Sequence, residues 1–180
     1  MTIVLTEERS MEETIRSLMN RHRPELAEGL DWFVFAYNGK SDLERNIVTR
    51  MRHWNYGEPQ FLILRDADGG DCQRIKQDLS GLADSCGKPY KIRIVCQELE
   101  SWFLGDSMAV RTAYPRCRFS NEAAAYRNPD QLGNASEELA RLTGDRTKVG
   151  RARLIAPHLN PDLNCSRSFQ VFFETLTAGL

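Results

Sequence analysis

FLILRDADGGDC, residues 61–72, carries four large apolar residues and one arginine into two aspartates one residue apart, then two glycines. The apolar run is short and bounded, the form of a strand buried on both faces. A buried strand that ends in like charges needs a physical reason. Either the aspartates are turn and cap residues for the next helix, or they hold a divalent cation. Asp71 suits the first role, because a helical pattern with Ile75, Leu79 and Leu82 on one face follows it. Asp66 and Asp68, alternating directly after the strand, suit the second.

Working outward, the flanks repeat one unit. TIVLT (2–6) reads as a short buried strand, and DWFVFAY (31–37), 60–65 and KIRIVC (91–96) as three more. Helices are expected between them. The first follows Ser10, taken as N-cap with Glu13 three residues on, and the second spans 41–54 with Leu43, Ile47, Met51 and Trp54 at helical spacing. The third runs over 71–86. Strand–helix alternation predicts an α/β fold: a mainly parallel four-stranded sheet flanked by helices, in a core of about 1–114. Beyond it, a mostly helical extension (115–180) is expected to pack on the sheet within one domain spanning 1–180. Within it, a long loop with one short helix leads to a helix over 135–144, a basic segment, and a terminal helix capped by Ser168.

Composition narrows the class without naming a job. The chain is 41% hydrophobic and 27% charged, with a net charge of −1, so any phosphate binding must come from a local patch or a metal. No apolar run approaches the length of a membrane helix, and MTIVLTEERS lacks the features of a signal peptide. The five cysteines are odd in number and none stands in a CxxC pair, which favours reduced thiols in a cytoplasm.

The acids give the strongest functional signal. In a parallel sheet all carboxyl ends point to one edge, and ligands bind there. The first strand ends at Glu7, the third at Asp66 and Asp68, and the fourth at Glu98 and Glu100. Alone, Glu7 reads as a first-turn acid and Glu98 and Glu100 as surface acids, one of the two facing the site. Together they converge, and converging carboxylates are costly unless a cation such as Mg²⁺ or Mn²⁺ neutralises them. A calcium loop of the EF-hand type fails, since Gly70 and Gln77 stand where acids are required. A haloacid-dehalogenase-like phosphatase with Asp66 as nucleophile is an alternative, although the motif comes on the third strand rather than the first. Asp-x-Asp nucleotide-sugar transferases are usually longer.

A strand ending in Glu, followed by a strand ending in Asp-x-Asp in a small α/β chain, resembles the Toprim (Rossmann-like) fold of topoisomerases, bacterial primases and overcoming-lysogenization-defect nucleases. More closely, FLILRDADGGDC, RIVCQELESWFLGD, YRNPD, KVGRARLIAPHL and RSFQVFF resemble an uncharacterised bacterial Toprim-like family. That family is often encoded beside an ABC/AAA-type ATPase and suspected of roles in phage defence. One departure is that Glu8 and Arg9, not glycine, follow the first Glu. The resemblance implies Mg²⁺ (or Mn²⁺) on Asp66 and Asp68, with Glu7 as ligand or general acid/base; the convergence at the rim adds Glu100 as a further candidate ligand. It implies hydrolysis of nucleic-acid phosphodiesters, because a topoisomerase needs a transesterifying tyrosine on another domain. It also implies an ATPase partner; self-association stays open. Lys148, Arg151 and Arg153 are candidates for holding a nucleic-acid backbone, against an equal case for a solvated helix face. His158 is expected to be a structural histidine, and Trp102 and Phe103 core. The competing class is a non-catalytic interaction subunit of an ATPase complex.

Overall fold

The computed structural model describes residues 1–178. β1 (Thr2–Thr6) is buried along its whole length, which its β-branched and apolar side chains tolerate and its central place demands. It pairs in parallel with β2 (Trp32–Ala36) on one side and β3 (Gln60–Asp66) on the other, and β4 (Tyr90–Val95) completes the order β2-β1-β3-β4. Parallel neighbours require crossovers, and these are α1 (Arg9–His22), α2 (Lys40–Arg52) and α3 (Cys72–Asp84). The fold class is therefore the one expected.

Side chains alternate across the sheet and define two cores. Ile3, Leu5, Phe61, Ile63 and Ile92 face α2 and α3, meeting Leu43, Ile47, Met51, Leu79 and Ala83. Val4, Leu62, Leu64 and Val95 face the other way, onto α1 and the C-terminal helices. Those helices are α4 (Glu100–Leu104), α5 (Ser107–Ala113), α6 (Ala135–Thr143), α7 (Lys148–Ile155) and α8 (Arg167–Ala178). Trp102 and Phe103 are fully buried, and the Trp102 ring stacks on Phe172 at 4.7 Å while its Nε1 donates to Ser168 Oγ. Gly105 lies so close to Asn164 Oδ1 that a Cβ would sit 2.1 Å from it, which is why this chain crossing takes a glycine.

Three local expectations differ from the structure. α1 begins at Arg9 with Glu8 at the N-cap, and Ser10 lies inside the first turn. Its hydroxyl donates to Glu8 Oε1, so the Ser10 capping box is replaced by a carboxylate at the helix entrance. α8 is capped by Ser166 rather than Ser168, because Ser166 Oγ accepts from Phe169 N, three residues on. His158 is exposed, in a single helical turn over 156–158, and not set in the core. All five cysteines are free thiols, and no helix among the described residues is long and apolar enough to cross a membrane.

Candidate functional site

The sheet register determines which acids can meet. Thr6 pairs with Leu64 and Asp66 with Val95, so the residue after β1 arrives beside the end of β3. There Asp66 N donates to Glu7 Oε2 at 3.3 Å, and Arg65 Nε stands 3.9 Å from the same oxygen. The 66–68 turn is tied to the end of β4 through Ala67 N to Val95 O and Asp68 N to Gln97 O, each 2.9 Å. Asp68 (φ 49°) and Gln97 (φ 65°) both adopt the left-handed region, a strain that aspartate bears better than most residues. The turn closes with Gly70 N on Ala67 O at 2.8 Å. A Cβ on Gly70 would lie 2.9 Å from that oxygen, so the second glycine is required by close approach. Asp71 then accepts from Gln73 N and Arg74 N and caps α3, as expected.

Asp66 is the unusual member. It is 3% exposed, and its Oδ1 is buried without a hydrogen-bond partner among the described residues. Burial first, and then the charges of Glu8, Glu7 and Glu100, push its carboxyl well above the usual range, while Lys148 pulls the other way. Glu7 is raised as well, by burial and by Asp68, against the hydrogen bond from Asp66 N and the charge of Arg65. Asp68 itself is exposed at the lip. Glu7 thus lies within the field of both Asp68 and Asp66.

The Glu98 and Glu100 pair divides. Glu98 Oε2 accepts from Ser136 N at 2.8 Å, an acid at the entrance of α6, where the helix dipole favours it. Glu100 is completely buried, and Arg151 Nη2 reaches its Oε1 at 2.5 Å with Ser136 Oγ adding a second donor at 3.0 Å. Its charge is felt at Asp66, but it already has a cation. Arg151, expected as a backbone-binding cation, is 1% exposed and spends its donors on Glu100, Ser136 and the Asp145 carbonyl. The reason is that its acceptors come from α4 (Glu100), the start of α6 (Ser136) and the turn after it (Asp145), which close round this face of the basic segment. Arg153 lies exposed on Glu13 at 2.7 Å, bound to α1 and away from the carboxylates. Lys148 does face the cluster. Its Nζ lies 3.3 Å from Glu8 Oε2. Burial would lower its pKa, yet Glu100, Glu8 and Asp66 together raise it, so it stays an ammonium. Glu8 is the participant that reading the sequence missed. Placing the cap at Ser10 left it in a loop; the adjacent Glu7-Glu8 pair was the signal that could have found it.

Among the described residues, no three Asp, Glu, His or Cys side chains enclose a single point as a metal cage would. Mg²⁺ asks for less. It takes one or two carboxylates and fills its octahedron with waters and phosphate oxygens. The orphaned Asp66 Oδ1 and the Glu7 carboxylate near it are oxygens that could serve as one or two such donors.

Two solved structures are similar to this chain, both of the C-terminal region of the OLD protein of Xanthomonas campestris pv. campestris. The one phased with iodine has a TM-score of 0.58 and 16% identity, covering 99% of this chain and 94% of that one. The one phased with mercury has a TM-score of 0.50 and 17% identity, covering 99% and 95%. At that identity the likeness is one of fold. No curated protein matches the chain. A family model, "Domain of unknown function (DUF4276)", matches residues 6–177, from the last residue of β1 into α8, and the chain belongs to that family.

Proposed function

We propose that this protein is a Mg²⁺- or Mn²⁺-dependent hydrolase of nucleic-acid phosphodiesters, with Glu7, Asp66 and Asp68 as its metal-binding acids. The observation that carries the proposal is Asp66: a buried carboxylate with an empty oxygen, held among three other acids and incompletely offset by one lysine. Such a group is expensive in the free protein and is relieved by an external cation. Bound there, a divalent cation would polarise a phosphoryl oxygen and lower the pKa of a water. The chain's own residues supply the rest. Glu7, fixed at Oε2 by the Asp66 amide, serves either as a metal ligand or, from the same place, as the acceptor of a proton from the attacking water. Lys148, an ammonium at the same rim, meets the charge that develops on the phosphoryl oxygens. In this reading a partner of the ATPase class, which the family resemblance implies, controls access to the site.

The test is incubation of the full chain with supercoiled plasmid, single-stranded DNA and transfer RNA, each with Mg²⁺, Mn²⁺ or EDTA. Cleavage that requires the cation and falls more than about a hundredfold in Asp66→Asn is expected. Cleavage unaffected by Asp66→Asn overturns the site. No cleavage of any substrate, with or without a co-purified ATPase, favours the non-catalytic subunit instead. Turnover of p-nitrophenyl phosphate through a phosphoryl group trapped on Asp66 favours the phosphatase.

A further inference from the structure

Beside the carboxylate rim, a cleft of about 500 Å³ is lined by Ser136, Glu137, Ala140, Arg141, Arg146 and Arg151. Three of its six lining residues are arginines and one is an acid, in a chain whose net charge is −1. The concentration of cations is therefore local and not a property of the whole surface. The three guanidinium groups differ in what they have left to give. Arg141 lies exposed on Glu138 at 2.7 Å and also donates to the Tyr126 hydroxyl. Arg146 is exposed and has no ion pair or hydrogen-bond acceptor for its side chain among the described residues. Arg151 is 1% exposed, and although both its terminal nitrogens are engaged, its Nε–H is buried without an acceptor.

The exposed guanidinium of Arg146, in a cleft that Arg141 and Arg151 also line, is a donor set awaiting an acceptor. Guanidinium groups favour phosphate in particular, because their planar fork matches two of its oxygens. We infer that the cleft is a phosphate-binding subsite in which Arg146, with Arg141 at the rim, takes the oxygens of one phosphate, while the buried Arg151 adds its charge from the wall. Ser136 and Arg151 belong both to this cleft and to the network that holds Glu98 and Glu100, so the subsite adjoins the carboxylates. Its pairing with a cleavage site rests on the function proposed above; there, the bound phosphate is one that flanks the scissile bond. The anion itself could also come from a small phosphate compound, and the two sources are separable.

The experiment uses the full chain in EDTA, which stops cleavage while leaving the cleft intact. Binding of a fluorescent 12-nucleotide single strand is measured by anisotropy across a range of salt, and binding of inorganic phosphate and pyrophosphate by NMR. The variants are Arg146→Gln and the double change Arg141→Gln with Arg146→Gln; both positions are exposed, so the fold should persist. Weakening of 12-mer binding by about tenfold in Arg146→Gln, with the salt slope reduced by about one, supports a strand phosphate. Loss confined to inorganic phosphate or pyrophosphate supports the subsite with a small phosphate as its ligand. Wild-type binding of every probe by the double variant overturns the inference. Arg146-dependent binding by a chain that cleaves nothing would leave the subsite standing and remove the nuclease.

Discussion

Two buried carboxylates on the same face of this molecule have opposite fates. Glu100, wholly inaccessible, meets the guanidinium of Arg151 and the hydroxyl of Ser136 at Oε1, although its Oε2 has no donor among the described residues. Asp66, 3% exposed, meets no donor at Oδ1 and is surrounded by Glu7, Glu8 and Glu100. Asp66 ends β3 and Glu100 opens α4 beyond β4, yet the charge of Glu100 is felt at Asp66, so distance does not separate them. What separates them is whether the chain carries the compensating cation. Where it does, the charge holds α4 to α7; where it does not, the charge is left for something outside the chain. Paired burial is architecture, and unpaired burial is a candidate for chemistry.

Removing the cation from the paired acid should give the largest effect. Arg151→Met leaves Glu100 buried and alone, and is expected to cost about 3–5 kcal/mol in urea unfolding. A double variant, Glu100→Met with Arg151→Met, should recover much of that loss. If Arg151→Met alone is neutral, the paired acid is not structural and the contrast collapses. The next largest effect is at Lys148. Lys148→Gln should slow cleavage roughly a hundredfold while leaving the unfolding midpoint nearly unchanged. A loss of stability without loss of rate would make Lys148 a neutralising neighbour of the acids and nothing more.

The unpaired acids make a smaller prediction, in pH. Asp66 and Glu7 have folded pKa values raised above the ordinary carboxylate range. As pH rises past that range the unfolded chain gives up these protons while the folded chain still holds them, so stability falls until the folded groups ionise. In EDTA, the denaturant midpoint should therefore drop between mildly acidic and neutral pH. Asp66→Asn should remove most of the drop and leave the metal-free protein about 1 kcal/mol more stable at neutral pH, at the expense of activity. Mg²⁺ should flatten the same profile in the unaltered chain. A midpoint that rises with pH in EDTA would contradict the assignment. Smallest of all, Arg153→Ala removes an exposed contact with Glu13 and should leave both midpoint and cleavage at the unaltered level. A large loss of nucleic-acid binding there would restore Arg153 to the interface.

The sequence by itself was enough for the α/β alternation and for the rim. Apolar runs at 2–6 and 61–64 are too short and too continuous for amphipathic helices, and parallel strands deliver their carboxyl ends to one edge whatever the details of packing. Glu7 and Asp66 were legible for that reason. Their neighbours were not. Whether Glu98 or Glu100 faces the cluster depends on where α6 and α7 dock, about forty to fifty residues later in the chain, and local periodicity carries no information on that. The helix α7 looked like a basic surface segment because three cations recur along it. Only its contacts with α4 and α6 hold Arg151 in the core, and only those with α1 and its N-cap leave Arg153 on Glu13 and point Lys148 at Glu8. Charge is written residue by residue, but compensation of charge is a property of contacts between distant segments. The tertiary structure alone decided which buried acid is paired with a guanidinium and which one is not.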